Sequence, residues 1–201
     1  MDPWPLTRLC AATSVLPIPF YDGFTIEVAR ALLGCVLVHG PTAGMIVETE
    51  AYLGGGDLAA HSARGLTERT KVIFGPPGRA YIYFIYGMHE CLNVVTEPAG
   101  SPGCVLIRAL EPITGLERMA QRRHRTGSLR GLTNGPGKLT QALNITRAQY
   151  GHRLDCGALT IRRWKTAPKF EIEVTPRIGI SECVDWPLRF VWKDNPFVSR
   201  R

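Results

Sequence analysis

The sequence predicts a single domain of mixed helix and strand, and three observations point there. A chain of 201 residues that is 45% apolar and 20% charged is long enough to bury a core without disulfide or metal support. Short apolar or β-branched runs bounded by Gly and Pro recur along it, as strands and turns do. Helical spacing is confined to a few stretches between them. The expected division is an irregular arm over residues 1–19 and one domain over residues 20–201.

The arm is expected because Met1 to Pro19 holds four prolines and little periodicity. Thr25 is a fair N-cap for a helix whose stripe is Val28, Ala29, Leu32 and Leu33, and Gly34 ends it. Cys35 to His39 reads as a short buried strand, closed by Gly40-Pro41. Gly44 to Tyr52 reads as the next strand. Its alternation puts Ile46, Glu48, Glu50 and Tyr52 on one face unless a bulge intervenes, with the two glutamates roughly 6–7 Å apart along the backbone. Gly54-Gly55-Gly56 breaks that strand, and Asp57 to Ser62 reads as a short helical turn carrying His61. Arg64, Arg69 and Lys71 follow in a polar loop suited to phosphates.

Tyr81 to Tyr86 and Glu90 to Thr96 read as the two strands of a hairpin with its tip at Tyr86 to His89. Tyr81, Tyr83 and Ile85 point one way; Ile82, Phe84 and Tyr86 point the other. Val105 to Ala109 is another strand, ending at Arg108. Glu111 to Arg125 reads as a helix finishing in Arg122-Arg123-His124-Arg125, a basic end that suits a helix C-terminus. Asn134-Gly135-Pro136-Gly137-Lys138 opens a further helix through Leu143, whose first N–H groups and Lys138 would suit a phosphate, although P-loop spacing is absent. Leu159 to Ile161, Glu171 to Val174 and Leu188 to Trp192 are the remaining strands.

Lys and Arg number 24 against 17 Asp and Glu, a net charge of +7. That surplus suits a polyanionic partner, or simply a basic soluble surface. Six cysteines lie outside any C-x-x-C or zinc spacing, so no metal and no cofactor is expected. A reduced compartment is expected, as no secretion signal is seen: cytoplasmic or nucleoid-associated in a prokaryote, nuclear in a eukaryote. Apolar stretches are too short to span a membrane, and a monomer is the simplest expectation.

The carboxylates Glu48 and Glu50 leave three readings open. They can form a glycosidase pair with a water between, one functional and one structural acid, or two solvated acids on an edge strand. Asp57 is a weaker candidate for a second acid. The tyrosines divide similarly. Sheet packing accounts for Tyr81, less well for Tyr83, and poorly for Tyr86, because hairpin tips favour Asn, Asp or Gly. A tip aromatic can instead wedge into a base stack. An enzyme acting on a base within a duplex needs such a wedge, an aromatic pocket and a group to activate water. Tyr86, Tyr52 with Tyr83, and Glu50 supply these. Asn93, disfavoured inside a strand, is expected to face a polar pocket. His61 reads as a surface or hydrogen-bonding histidine or a pocket residue, and Arg108 as an ion-pair partner or a ligand to water or phosphate.

The run Glu48-Thr49-Glu50-Ala51-Tyr52-Leu53-Gly54, the Ala60-His61-Ser62 step, Tyr81-x-Tyr83-x-x-Tyr86-Gly87-Met88, Asn93 and Val105 to Pro112 together resemble the alkyladenine (3-methyladenine, or methylpurine) DNA glycosylase family. Gly135 to Leu143 and Pro187-Leu188-Arg189-Phe190 are also similar, so the resemblance runs from about Phe20 to Val198. It implies an α+β fold: a single compact domain around a curved antiparallel β-sheet, with a protruding hairpin that enters DNA from the minor-groove side. It implies double-stranded DNA containing damaged purines as partner, and hydrolysis of the purine N-glycosidic bond. By position, Glu50 would be the general base and Arg108 would help hold its water. Tyr52 and Tyr83 would sandwich the flipped base, with His61 in the pocket. Asn93 would penalise normal guanine, and Tyr86 would fill the gap in the duplex. Arg64, Lys71, Arg122, Arg123 and Lys138 are the candidate backbone contacts. Gly54-Gly55-Gly56-Asp57 and His89 depart from the family pattern.

A ring-alkylated purine is cationic and leaves readily, so ionised Glu50 is the chief chemical demand. No activated lysine is evident in the central stretch, the nearest being Lys71, which favours hydrolysis over Schiff-base lyase chemistry. The alternatives are a non-catalytic binder of damaged DNA and a carbohydrate O-glycosidase using both glutamates.

Overall fold

A computed structural model describes residues 4–85, 87 and 89–199. Its helices are α1 (Leu6–Ala12), α2 (Thr25–Ala31), α3 (Leu116–Arg122) and α4 (Pro136–Leu143). Its strands are β1 (Thr13–Val15), β2 (Val36–His39), β3 (Thr42–Tyr52), β4 (Ala80–Ile85), β5 (His89–Thr96), β6 (Gly103–Thr114), β7 (Leu159–Trp164), β8 (Ile172–Thr175) and β9 (Arg189–Trp192). They form one open antiparallel sheet in the order β1-β7-β2-β3-β6-β5-β4, with β9 pairing both β3 and β8. The chain is thus α+β, as expected.

Strand β3 organises the sheet. One side pairs with β6 along nearly its whole length. The other side pairs first with β2, from Thr42 to Met45, and then with β9, from Glu48 to Glu50. The change of partner coincides with a register shift between Ile46 and Glu48. An inserted residue reverses which face later side chains take. Ile46 and Ala51 consequently share one apolar cluster, while Glu48 and Glu50 face away from it. Ile46 therefore does not lie on the glutamate face. The glutamates also sit on a strand paired on both sides, not on an edge.

Helices α2 and α4 cover the apolar face through Val28 and Ala29, with Leu32 just after α2, and through Leu139, Ala142 and Leu143. Each fully buried leucine contributes about 1.5–3 kcal/mol by leaving water. The Thr49 hydroxyl donates to the Ala29 carbonyl at 2.9 Å, tying β3 to α2.

Three expectations are corrected. Among the described residues, 4–19 are not an irregular arm: Pro5 precedes α1, whose Leu9 is fully buried against Val36, Val38, Ala43 and Ile113, and β1 pairs with β7. Thr25 is the first helical residue of α2 and not its cap; its N–H and hydroxyl both donate to Glu97 Oε1, at 3.1 and 2.8 Å. A carboxylate 72 positions away does what a local cap would do. Finally, Glu111 to Thr114 continue β6, because pairing with Ala43 to Met45 overrides their helical pattern. Pro112 is accommodated at a second register shift, and left-handed Gly115 (φ +77°) turns the chain into α3.

The hairpin forms as expected, β4 and β5 pairing from Ala80–Val94 to Ile85–His89. Tyr86, the expected wedge, lies outside the described residues.

Candidate active site

Glu50 is wholly buried and accepts three hydrogen bonds among the described residues. Its Oε1 accepts from the Ile178 N–H at 2.8 Å. Its Oε2 accepts from the Tyr52 hydroxyl at 3.0 Å and from Arg108 Nη1 at 3.2 Å. Each donor reaches it for a structural reason. Tyr52 is two residues along the same strand face. Arg108 comes from β6 beside it, and Ile178 follows β8. The same Arg108 Nη1 lies 3.5 Å from the Ile178 carbonyl oxygen. Burial raises the proton affinity of Glu50 above that of an ordinary carboxylate; Arg108, the Ile178 N–H and the Tyr52 hydroxyl oppose that rise without cancelling it.

Glu48 is equally buried but differently served. Its Oε1 accepts from Arg108 Nε at 3.0 Å, Arg189 Nε at 2.7 Å and the Ser199 hydroxyl at 2.8 Å, and its Oε2 accepts from the Ser199 N–H at 2.7 Å. Burial again raises its proton affinity, but Arg108 and Arg189 together outweigh that, leaving Glu48 below the usual range. These four bonds engage both of its oxygens. The solvated-acid reading fails here, because both glutamates are fully buried.

The three groups that donate to Glu50 come from Tyr52, Arg108 and Ile178, and all three residues line one cavity of about 330 Å³, walled also by Tyr83, Cys91 and Lys138. A second cavity of about 350 Å³ shares Tyr52 and Tyr83 and adds His61, Asn93, Tyr81 and Arg64. Alternation along β4 puts Tyr81 and Tyr83 on one face, with ring centroids 5.6 Å apart, while Ile82 joins the apolar core. His61 meets Tyr83 edge-on at 4.5 Å, and a 2.8 Å hydrogen bond joins its Nδ1 to the Tyr81 hydroxyl. Burial, then Arg69 and Arg64, push its pKa down to about 4, so His61 is neutral at physiological pH. Burial pushes the Tyr81 phenol up to about 12. The Asn93 amide nitrogen donates to the Tyr81 carbonyl at 3.2 Å, which fixes the residue against the second cavity.

Glu50, Arg108, Tyr52, Tyr83, His61 and Asn93 are thus brought together. The basic candidates divide. Lys138 stands on the wall of the first cavity, donating to Asn134 Oδ1 at 2.9 Å, whereas Lys71 lines neither cavity. Arg64 borders the second cavity. Lys71 lies on the surface in an exposed ion pair with Glu68. Arg122 Nη1 donates to the Ala142 carbonyl at 2.9 Å, and Arg123 to the Gln141 side chain, so both pin α3 to α4. Arg122 also lines a groove with His89, Glu90 and Gly137.

Four residues of the site escape sequence reasoning. Arg177 holds Asp57 through both terminal guanidinium nitrogens, at 2.6 and 2.8 Å, with both side chains fully buried. It also lies 4.7 Å from the centre of the Tyr52 ring. Asp57 is therefore occupied as a structural acid, accepting from Leu53 N–H as well. Ile178, Arg189 and Ser199 arrive from the last quarter of the chain. Only Arg189 left a trace, as the arginine in Pro187-Leu188-Arg189-Phe190.

Comparison with known proteins covers all of this site but Ser199. The family model of methylpurine-DNA glycosylase (MPG) matches residues 19–196. Proteins named "Putative 3-methyladenine DNA glycosylase" are 51% identical in Methanoculleus marisnigri over 192 residues, covering 92% of this chain and 99% of that protein. The like-named protein of Prosthecochloris aestuarii is 48% identical over 186 residues, 90% of this chain and 89% of its own. That of Bacillus cereus strain Q1 is 46% identical over 202 residues, 92% and 98% respectively.

Proposed function

The chain belongs to the methylpurine-DNA glycosylase family, and from that premise we propose that it hydrolyses the N-glycosidic bond of damaged purines flipped out of double-stranded DNA. The observation that carries this reading is Glu50: a buried carboxylate of raised proton affinity whose three donors belong to residues walling an aromatic cavity.

A purine alkylated on a ring nitrogen is a cation. Tyr52 and Tyr83 offer it π-faces, worth about 0.5–2 kcal/mol by cation–π attraction. As the C1′–N bond breaks, its electron pair returns to the purine, and positive charge grows on the sugar, where ionised Glu50 stabilises it. A water held beside Arg108 Nη1 and the Ile178 carbonyl attacks C1′ and gives its proton to Glu50. The products are a free base and an abasic site. The proposed substrates are 3-methyladenine, 7-methylguanine, hypoxanthine and ethenoadenine. For the neutral ones a proton must reach the leaving purine, and neutral His61 is not its donor. Asn93 is proposed to exclude guanine through its amino group. Approach from the minor groove, with Tyr86 occupying the vacated stack and Arg64, Lys71, Arg122, Arg123 and Lys138 at the backbone, completes the reading of a monomeric enzyme. No helix among the described residues is long and apolar enough to cross a membrane.

The test is release of free base from a duplex carrying one hypoxanthine or ethenoadenine, and from methylated DNA, by wild type and Glu50→Gln. Release by wild type alone, with both proteins binding the lesion, supports the reading. Tight binding without release by either makes the protein a lesion binder. Borohydride trapping of a covalent adduct through Lys138 would replace hydrolysis with lyase chemistry.

A further inference from the structure

Two buried glutamates share one arginine, and the sharing is uneven. Arg108 gives Nε to Glu48 at 3.0 Å and Nη1 to Glu50 at 3.2 Å. Glu48 alone receives a second guanidinium, from Arg189, and two bonds from Ser199. Arg189 is in turn fixed by its Nη1 bond to Thr175 at 2.9 Å. Ser199 lies beyond the family match, which ends at residue 196.

We propose that Glu48 is the positioning residue of this site: clamped by Arg189 and Ser199, it holds Arg108 by Nε so that Nη1 is aimed at Glu50, and keeps Glu50 able to take a proton from water. The inference rests on Glu50 as the base. The charges facing Glu50 are Arg108 from β6, Glu48 from β3 and Arg177 from the segment after β8, with the neutral Tyr52 hydroxyl and the Ile178 N–H completing its shell. If Arg108 served Glu50 alone, the carboxylate would be over-stabilised as an anion and a poor acceptor. Glu48 takes the Nε bond of that guanidinium and adds a repulsion of its own. Arg189 limits the withdrawal by satisfying Glu48 independently.

This arrangement makes two replacements act in opposite senses. Glu48→Gln removes a negative charge near Glu50, so Glu50 ionises at lower pH. Arg189→Gln removes a positive charge and lets Glu48 draw harder on Arg108, so Glu50 ionises at higher pH. The experiment is the pH dependence of single-turnover base release, with lesion-duplex binding measured alongside. The expected result is an acid limb moved down by about one pH unit in Glu48→Gln and up by a similar amount in Arg189→Gln, the range for a neighbouring charge at this separation. Rates at the plateau should fall at least tenfold in Glu48→Gln, because Arg108 loses its anchor. A merely structural role lowers both rates at every pH and moves neither limb, which would overturn the proposal, as would shifts of the same sign. Should a replacement fail to fold, Ser199→Ala decides: an upward shift supports the clamp and an unmoved limb refutes it. Glu50→Gln separates the two layers. If it releases base at the wild-type rate, both readings fall; if it is inactive while the Glu48 and Arg189 limbs stay put, only this one does.

Discussion

The Tyr52 hydroxyl donates to Glu50 Oε2 across 3.0 Å, so the ring that walls the cavity is bonded to the carboxylate behind it. Pocket and base are therefore not independent. The Tyr52 bond favours the ionised form of Glu50, against a burial that disfavours it. Tyr52→Phe keeps the ring and deletes that donor, so Glu50 should hold its proton to higher pH. A hydrogen bond to a charged group is worth about 1.5–3 kcal/mol, so the acid limb of base release should rise by about one pH unit. Lesion binding should change by less than about threefold, since the face is retained. A limb that stays in place in a single-turnover profile would show that the hydroxyl does not govern Glu50.

Asp57 and Arg177 form a doubly bonded pair with no exposure on either side chain. Breaking one partner leaves the other charge buried, at a cost of about 3–5 kcal/mol. Asp57→Ala should lower unfolding free energy by that amount in urea titration. Because Arg177 also lies against the Tyr52 ring, the loss should weaken lesion binding even below the melting temperature. A stability change under about 1 kcal/mol would mean the pair contributes little.

The parts legible in the sequence are those set by local pattern. Alternation gave the tyrosine faces of β4, and the family resemblance pointed to Glu50. What escaped depended on distant pairing. The bulge before Glu48 arises where β3 changes partner from β2 to β9, and nothing in Met45 to Thr49 announces it. Glu111 to Thr114 carry a helical pattern and become strand because β3 lies beside them. Glu97 replaces the local cap of α2, and Ile178, Arg189 and Ser199 meet the glutamates only after the last quarter of the chain folds back.

The triple glycine before Asp57 offers a graded test of backbone fit. A Cβ on Gly54 would stand 2.2 Å from the Pro102 carbonyl oxygen, whereas one on Gly55 meets nothing within 4 Å. Gly56 has room but a φ of +76°. Gly54→Ala should therefore cost about 1–3 kcal/mol through forced displacement, and Gly56→Ala about 1–2 kcal/mol through the left-handed backbone. Gly55→Ala should stay within about 0.5 kcal/mol. Thermal unfolding of the three single variants checks the order; equal costs would mean that the loop yields as a unit.

His61 gives the last prediction, on stability and not catalysis. Burial first, then Arg69 and Arg64, bring its pKa to about 4 in the folded chain, against about 6.5 when unfolded. The unfolded state therefore binds the proton first as pH falls. Stability from this residue is fully present above about pH 6.5 and is lost progressively down to about pH 4. Allowing for partial exposure, the loss should be about 1–2 kcal/mol. His61→Gln, which cannot protonate, should lose less stability than wild type between pH 7 and pH 4.5 when both are unfolded in urea. The same neutrality means that His61 contributes no inflection to base release between pH 5 and 8. Parallel stability losses in the two proteins would place the His61 ring in contact with water and detach it from the Tyr81 hydroxyl.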